Sequence, residues 1–153
     1  MYGNVENRDY LEEILTFICT HNLHNIIHYD GFTDHMYDAF LAADCVCICS
    51  ENEAFGRVTV EGMFAECIVI GANTGGTVEI IKDGVTGLLY QQGDPKDLGQ
   101  KISFCLHNPD VVRKIAKRGR EMAVGNFSDV SNAEKILAVY DWVLDGKCGK
   151  HHD

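Results

Sequence analysis

The chain has 153 residues, a length that suits one domain burying roughly 70% of its extended surface without disulfide or metal staples. Thirteen Lys and Arg against 23 Asp and Glu give a net charge of −10, which opposes non-specific binding to nucleic-acid backbones or anionic membrane surfaces. No apolar run approaches the length needed to span a bilayer, and seven cysteines, an odd number with no secretory signal, predict a reduced, cytoplasmic protein.

In chain order, residues 4–7 predict a turn and cap before a helix that carries Tyr10, Leu11, Ile14, Leu15, Phe17 and Ile18 at helical spacing and stops near His21 or Asn22. NIIHY at 25–29 predicts a short strand. Asp30, Gly31 and Phe32 then form a turn at the carboxyl edge of a sheet, and Thr33 or Asp34 caps a helix presenting Met36, Tyr37, Phe40 and Leu41. CVCIC at 45–49 has no alternation and a β-branched centre, the pattern of a strand buried on both faces of a parallel sheet, where Cys45, Cys47 and Cys49 act as small hydrophobes. Zinc would want a CxxC pair, so no metal site is expected. His21, His24 and His28 run across a helix end and share no face; they read as surface residues.

The period then changes. Val58, Val60, Met63, Phe64 and Cys67 fall at spacings of a helix over 57–66, followed by a strand over 67–70, a loop over 72–76 and a helical turn over 77–81. Lys82, Asp83 and Gly84 lead into a strand over 87–90. Pro95 after Asp94 opens a helix to His107, Asn108 and Pro109 break it, a basic helix covers 110–124, and Ser128 or Asp129 caps a last helix through Trp142. At least four strands alternating with helices predict an α/β, Rossmann-like parallel sheet in three layers with right-handed crossovers.

The stretch from Ser50 to Gly76 concentrates the chemistry. Glu53 and Glu61 straddle the start of the helix at 57, and strand, loop and helix N-terminus in that order form an anion site at the carboxyl edge of the sheet. Gly56 lets a ligand approach the backbone. Glu61, one turn into the helix, is an acceptor-only carboxylate able to take two hydroxyl donors.

Glu53, Phe55, Gly56 and Glu61 spell ExFGxxxxE; with Gly75, Gly76 and Glu79 and then DGVTGLLY at 83–90, this order resembles the donor-binding half of the group 1 (family 4) glycosyltransferases. Those are retaining enzymes of the two-domain GT-B fold. The resemblance runs from about residue 5 to about residue 140, and departs where the family commonly has CGxPV: Glu66 and Ile68 replace the glycine and the proline. It implies that Glu61 holds the ribose of a nucleotide-sugar such as a UDP-, GDP- or ADP-sugar. It also implies that Glu53 is catalytic, facing the donor sugar, where its charge favours an oxocarbenium-like state; whether it is also a nucleophile stays open. Phe55, Gly56 and Arg57 would give backbone contacts to sugar and phosphate, the Arg57 side chain being a further candidate phosphate ligand. Asn73, Thr74, Gly75 and Gly76 would close over the sugar, Gly31 and Phe32 would meet the base, and Glu79 would anchor its loop. For Phe32 core packing is the alternative reading; for the two glutamates it is a helix N-terminal or solvated carboxylate.

A departing nucleoside diphosphate gains negative charge, which the opening of the helix at 57 can stabilise by roughly 0.3 to 2 kcal/mol without a metal. The family resemblance implies the same metal independence, with no cofactor. In that family a strand and turn bearing a basic pair, and before them an acceptor-binding domain, precede the segment that opens here with Met1, Tyr2 and Gly3; the chain is therefore expected to be a fragment of a larger transferase. Two other readings compete: a non-catalytic sugar-nucleotide-binding or interaction module, and a flavodoxin-like signalling domain. The latter would want an acidic cluster after its first strand and a lysine after its last, and neither is evident.

Overall fold

A computed structural model describes residues 1, 7–50 and 53–145; residues 4–6 of the first predicted turn, and Tyr2 and Gly3, lie outside them. The chain divides into two compact units, Met1–Met36 and Tyr37–Asp153. In the first, helix α1 (Arg8–Thr20) begins where the Asn7 side chain accepts the N–H groups of Asp9 and Tyr10 at 2.9 and 3.2 Å. Of its apolar stripe Ile18 is buried while Tyr10 and Phe17 are exposed. The strand predicted at 25–29 does not form. The Leu23 carbonyl accepts from the N–H groups of Ile26 and Ile27 at 2.9 and 2.8 Å, closing a turn on the end of α1 that withdraws those donors from any ladder. Gly31 follows at φ 70°, in the left-handed region open to glycine, but residues 30–32 do not form the predicted turn.

Helix α2 (Met36–Ala42) begins at the boundary of the units; the Thr33 hydroxyl accepts the His35 N–H at 3.0 Å, a turn just ahead of the helix and not the predicted cap on its first amides. Three parallel strands follow in the order β1 (Cys45–Ile48), β2 (Ile68–Ala72) and β3 (Leu88–Tyr90), with Cys45 opposite Ile68 and Ile70 opposite Leu88. Among the described residues the sheet has three strands, one fewer than predicted. β2 is buried along its whole length, as a central parallel strand must be. β1 is corrected: Cys47 is exposed, as is Cys49 just beyond the strand, because β1 pairs with β2 alone among the described residues and has neighbours on one side only. Interaction with the Cys47 thiol lowers the pKa of the Cys45 thiol to about 7, against the opposing effect of burial.

Two clusters make the core. On one face of the sheet Ile68, Ile70, Ala72, Leu88 and Tyr90 pack on α5 (Pro95–His107) and the first half of α6 (Pro109–Phe127). On the other, Ile48 and Val69 meet Val60 and Met63 of α3 (Arg57–Phe64), Ile80 of α4 (Thr77–Ile80) and Ala123 near the end of α6. Asp94 caps α5, as predicted, by accepting from Lys96 and Asp97 at 2.9 and 3.2 Å. The last helix, α7 (Asp129–Leu144), is capped by Ser128 and buries none of its side chains. No helix of the described residues is long and apolar enough to cross a membrane.

Two glycines of α6 should respond oppositely to alanine. A Cβ on Gly119 would lie 2.5 Å from the Thr86 carbonyl oxygen, whereas one on Gly125 meets nothing within 4 Å. Gly125→Ala is expected to stabilise by about 0.5 to 1 kcal/mol through helix propensity. In Gly119→Ala that gain is outweighed by a backbone clash costing about 1 to 3 kcal/mol. Chemical denaturation of both variants checks the pair, and a stabilised Gly119→Ala would contradict the close approach of α6 to the 84–86 turn.

Candidate donor site

The strands being parallel, the β1–α3 segment and the β2–α4 segment emerge at one edge of the sheet, the carboxyl edge. α3 starts at Gly56, which sits at φ 88°, a left-handed conformation open to glycine; a Cβ there would also come within 2.8 Å of Ile80 Cδ1. The first intrahelical bond runs from the Val60 N–H to the Gly56 carbonyl at 3.1 Å. The N–H groups of Arg57, Val58 and Thr59 therefore precede the helical ladder, and no side chain caps the helix. α3 ends sooner than predicted, at Phe64. Ala65 forms its C-cap, and Glu66 turns the chain into β2 at φ 57°, its carboxylate 3.2 Å from the Arg120 guanidinium. Glu66 thus adopts a glycine-like conformation where the resembling family has glycine, and Ile68, in the place of the proline, is buried in β2.

Glu53 is half-buried and folds back on its own loop: Oε1 accepts the Gly56 N–H at 2.9 Å. The Glu53 carbonyl accepts the Gly76 N–H at 2.7 Å, so the loops before α3 and α4 are joined backbone to backbone. This junction explains Gly75 and Gly76 differently from the sequence. A Cβ on Gly75 would stand 2.5 Å from the Glu53 carbonyl oxygen, and one on Gly76 would stand 2.8 Å from Ala54 O and from Phe55 C and O. The glycine pair makes room for the neighbouring loop. Thr74 is half-buried beside it, with its N–H donated to the Ala72 carbonyl at 2.8 Å.

Glu61, fifth residue of α3, is 43% exposed, and its Oε1 lies 3.4 Å from Nε of Arg57, which is 85% exposed. At that exposure the pair is worth about 0 to 1 kcal/mol, little hindrance to a ligand that competes for either side chain. Phe55 is 58% exposed, with its ring edge-to-face on Phe127 at 5.9 Å. The structure thus brings Glu53, Phe55, Gly56, Arg57, Glu61, Thr74, Gly75 and Gly76 to one sheet edge. Gly31 and Phe32 belong to the first unit, where Phe32 is 65% exposed, so it is not a core residue. Glu79 is corrected: its carboxylate is exposed and anchors nothing among the described residues, because α4 is a single turn whose buried side chains are Thr77 and Ile80. The DGVTGLLY segment is structural. Asp83 Oδ1 accepts the Leu89 N–H at 2.8 Å and Asp83 pairs with Lys101 at 3.6 Å, closing the turn that feeds β3.

Sequence reasoning passed over two residues. Thr59 is fully buried in the first turn of α3 with its hydroxyl unpaired among the described residues, a lone polar residue among apolar ones. Phe127 carries no local signal, since its partner lies far off in the chain. Among the described residues no group of three or more His, Cys, Asp and Glu side chains is placed to hold a metal ion.

An open α/β sheet with an uncapped helix start and two carboxylates at its carboxyl edge has its polar groups where open α/β folds bind ligands. Residues 1–122 match the family model for glycosyl transferases group 1, and the chain belongs to that family; this disposes of the flavodoxin-like alternative. The putative glycosyltransferase EpsD of Bacillus subtilis is 31% identical over 115 residues, 75% of this chain and 30% of EpsD. The N-acetyl-alpha-D-glucosaminyl L-malate synthase of Bacillus anthracis is 29% identical over 140 residues, 90% of this chain and 36% of the synthase. Among solved structures, HepE of Anabaena in complex with UDP superposes with a TM-score of 0.84 at 29% identity, covering 88% of this chain and 37% of HepE. The fold is accordingly a Rossmann-like domain of GT-B type. The chain spans about a third of the length of these relatives.

Proposed function

We propose that the chain is the donor-binding domain of a retaining, family 4 glycosyltransferase that moves a hexosyl group from a nucleotide-sugar to an acceptor held by another part of a longer protein. The observation that carries this is the joined loop, in which Glu53 accepts the Gly56 N–H with its carboxylate and the Gly76 N–H with its carbonyl beside the open N-terminus of α3. Solved complexes of HepE with UDP and with UDP-glucose, matching at TM-scores of 0.84 and 0.83, support it.

In this reading the free N–H groups of Arg57, Val58 and Thr59 face the diphosphate and stabilise the charge that grows on it as the sugar leaves, with no metal or cofactor. Phe55 and Gly56 give backbone contacts to the sugar, and the Arg57 guanidinium turns from Glu61 to a phosphate. Glu61 takes two ribose hydroxyls. Glu53 spends one oxygen on Gly56 and keeps the other for a sugar hydroxyl and for the positive charge at the anomeric carbon. Thr74, Gly75 and Gly76 form the wall behind the sugar. The free cysteines accord with a cytoplasmic location.

Glu61→Ala is expected to weaken binding of the nucleoside diphosphate about 10- to 150-fold, the loss of a charged acceptor for two hydroxyls. Titration calorimetry with UDP, GDP and ADP measures it in this chain. An unchanged dissociation constant would remove Glu61 from the ribose, and no binding of any of the three nucleotides by the unsubstituted chain would remove the donor-binding function itself.

A further inference from the structure

The donor loop is held from two directions. On one side Gly76 grips its backbone: the Gly76 N–H donates to the Glu53 carbonyl, and a Cβ added to the glycine would stand 2.8 Å from Ala54 O and from Phe55 C and O. On the other side stands a residue that the donor reading does not use. Phe127, last residue of α6, is half-buried against the cluster of Ile48, Val60, Met63 and Ala123, and its ring meets that of Phe55 at 5.9 Å with an interplanar angle of 84°. That is the edge-to-face arrangement in which the positive rim of one ring meets the negative face of the other.

Phe127 is itself fixed. One turn earlier Ala123 is fully buried. One residue later Ser128 caps α7 by accepting the Ser131 N–H at 3.3 Å, and Lys135 of α7 reaches back to the Asn126 carbonyl at 2.7 Å. The corner between α6 and α7 is thus tied by both helices, whereas Phe55 is more than half exposed and Ala54 before it is exposed too. A ring so exposed has little else to hold it. Phe55 lies two residues from Glu53 and one from Gly56, so a displacement of its backbone would also move the Glu53 carboxylate and the first N–H groups of α3.

We propose that Phe127 is a positioning residue for the donor: its ring, presented by the α6–α7 corner, fixes Phe55 and through it the placement of Glu53 and Gly56. This rests on the donor-binding reading for its functional consequence, while the mechanical claim stands on the loop alone. The aromatic pair is of a size to change affinity for the nucleotide-sugar about 2- to 12-fold.

Three variants test it in the whole chain. Phe127→Leu keeps apolar volume and removes the ring, Phe127→Tyr keeps the ring, and Phe55→Leu removes the other partner. Amide exchange in the free protein is expected to quicken at Gly56 and Gly76 in Phe127→Leu, stay unchanged at Ile70 in the core, and return to the original rate in Phe127→Tyr. With UDP-glucose as probe, Phe127→Leu and Phe55→Leu are each expected to lose about 2- to 12-fold in affinity, and the double variant no more than the larger single loss. Equal acceleration at Gly56, Gly76 and Ile70 would make Phe127 a packing residue and overturn the proposal. So would additive losses in the double variant. If the unsubstituted chain binds no nucleotide or nucleotide-sugar at all, the donor reading fails, and the exchange rates alone then decide whether Phe127 holds the loop.

Discussion

Glu53→Gln in the full-length transferase is expected to lower kcat by about 100-fold or more, the scale of removing one preorganised electrostatic partner of a transition state, with affinity for the sugar-free nucleoside diphosphate nearly unchanged. The choice of glutamine matters. Its side-chain carbonyl can still accept the Gly56 N–H that Glu53 Oε1 holds at 2.9 Å, so the loop keeps its shape while the negative charge near the anomeric carbon is lost. Alanine would remove both and leave the cause ambiguous. A charge that acts only as positive charge develops lowers the barrier without strengthening ground-state binding. Steady-state kinetics beside calorimetry with the nucleoside diphosphate separates the two, and equal losses in both would mean that Glu53 serves the loop alone.

The chain by itself is expected to transfer no sugar. It presents the donor loop at one sheet edge, and in the proposed enzyme the acceptor is held by a part of the protein outside these 153 residues. Orienting two reactants is worth roughly 7 to 11 kcal/mol, a loss that places turnover below detection even where the donor still binds. Incubation with UDP-, GDP- and ADP-sugars and simple acceptors, followed by assay of released nucleoside diphosphate and glycosylated product, measures it. Acceptor-dependent turnover would show that the acceptor site lies within the chain.

The helix starts were legible in the sequence because caps act locally. Asn7, Asp94 and Ser128 each accept an N–H two or three residues on, and α5 spans the residues read for it. The α3 start at Arg57 was legible for the same local reason, through the change of hydrophobic period beyond Gly56. What failed was whatever depended on distant neighbours. NIIHY has strand propensity, but Leu23 captured its amides. Cys47 looks like a core residue in a row of apolar ones, and its exposure follows from its place in the sheet. Gly75 and Gly76 were recognised as necessary, but their contact with the backbone at 53–55, which a Cβ on either would strike, was not legible. The ring contact between Phe55 and Phe127, 72 positions apart, belongs to the same class.

The bond from the Gly76 N–H to the Glu53 carbonyl joins residues separated by all of α3 and β2. The β1–β2 pairing spans the same stretch of chain, with Cys45 opposite Ile68, so once those strands pair, the bond between the loops closes at little further cost in chain entropy. The half-exposed loop can nonetheless open while the sheet persists, since stability is unevenly distributed over a fold. A substitution that loosens the β2–α4 connection would then leave a protein with native helix and sheet content and a melting transition close to the original, yet with its donor loop unmade.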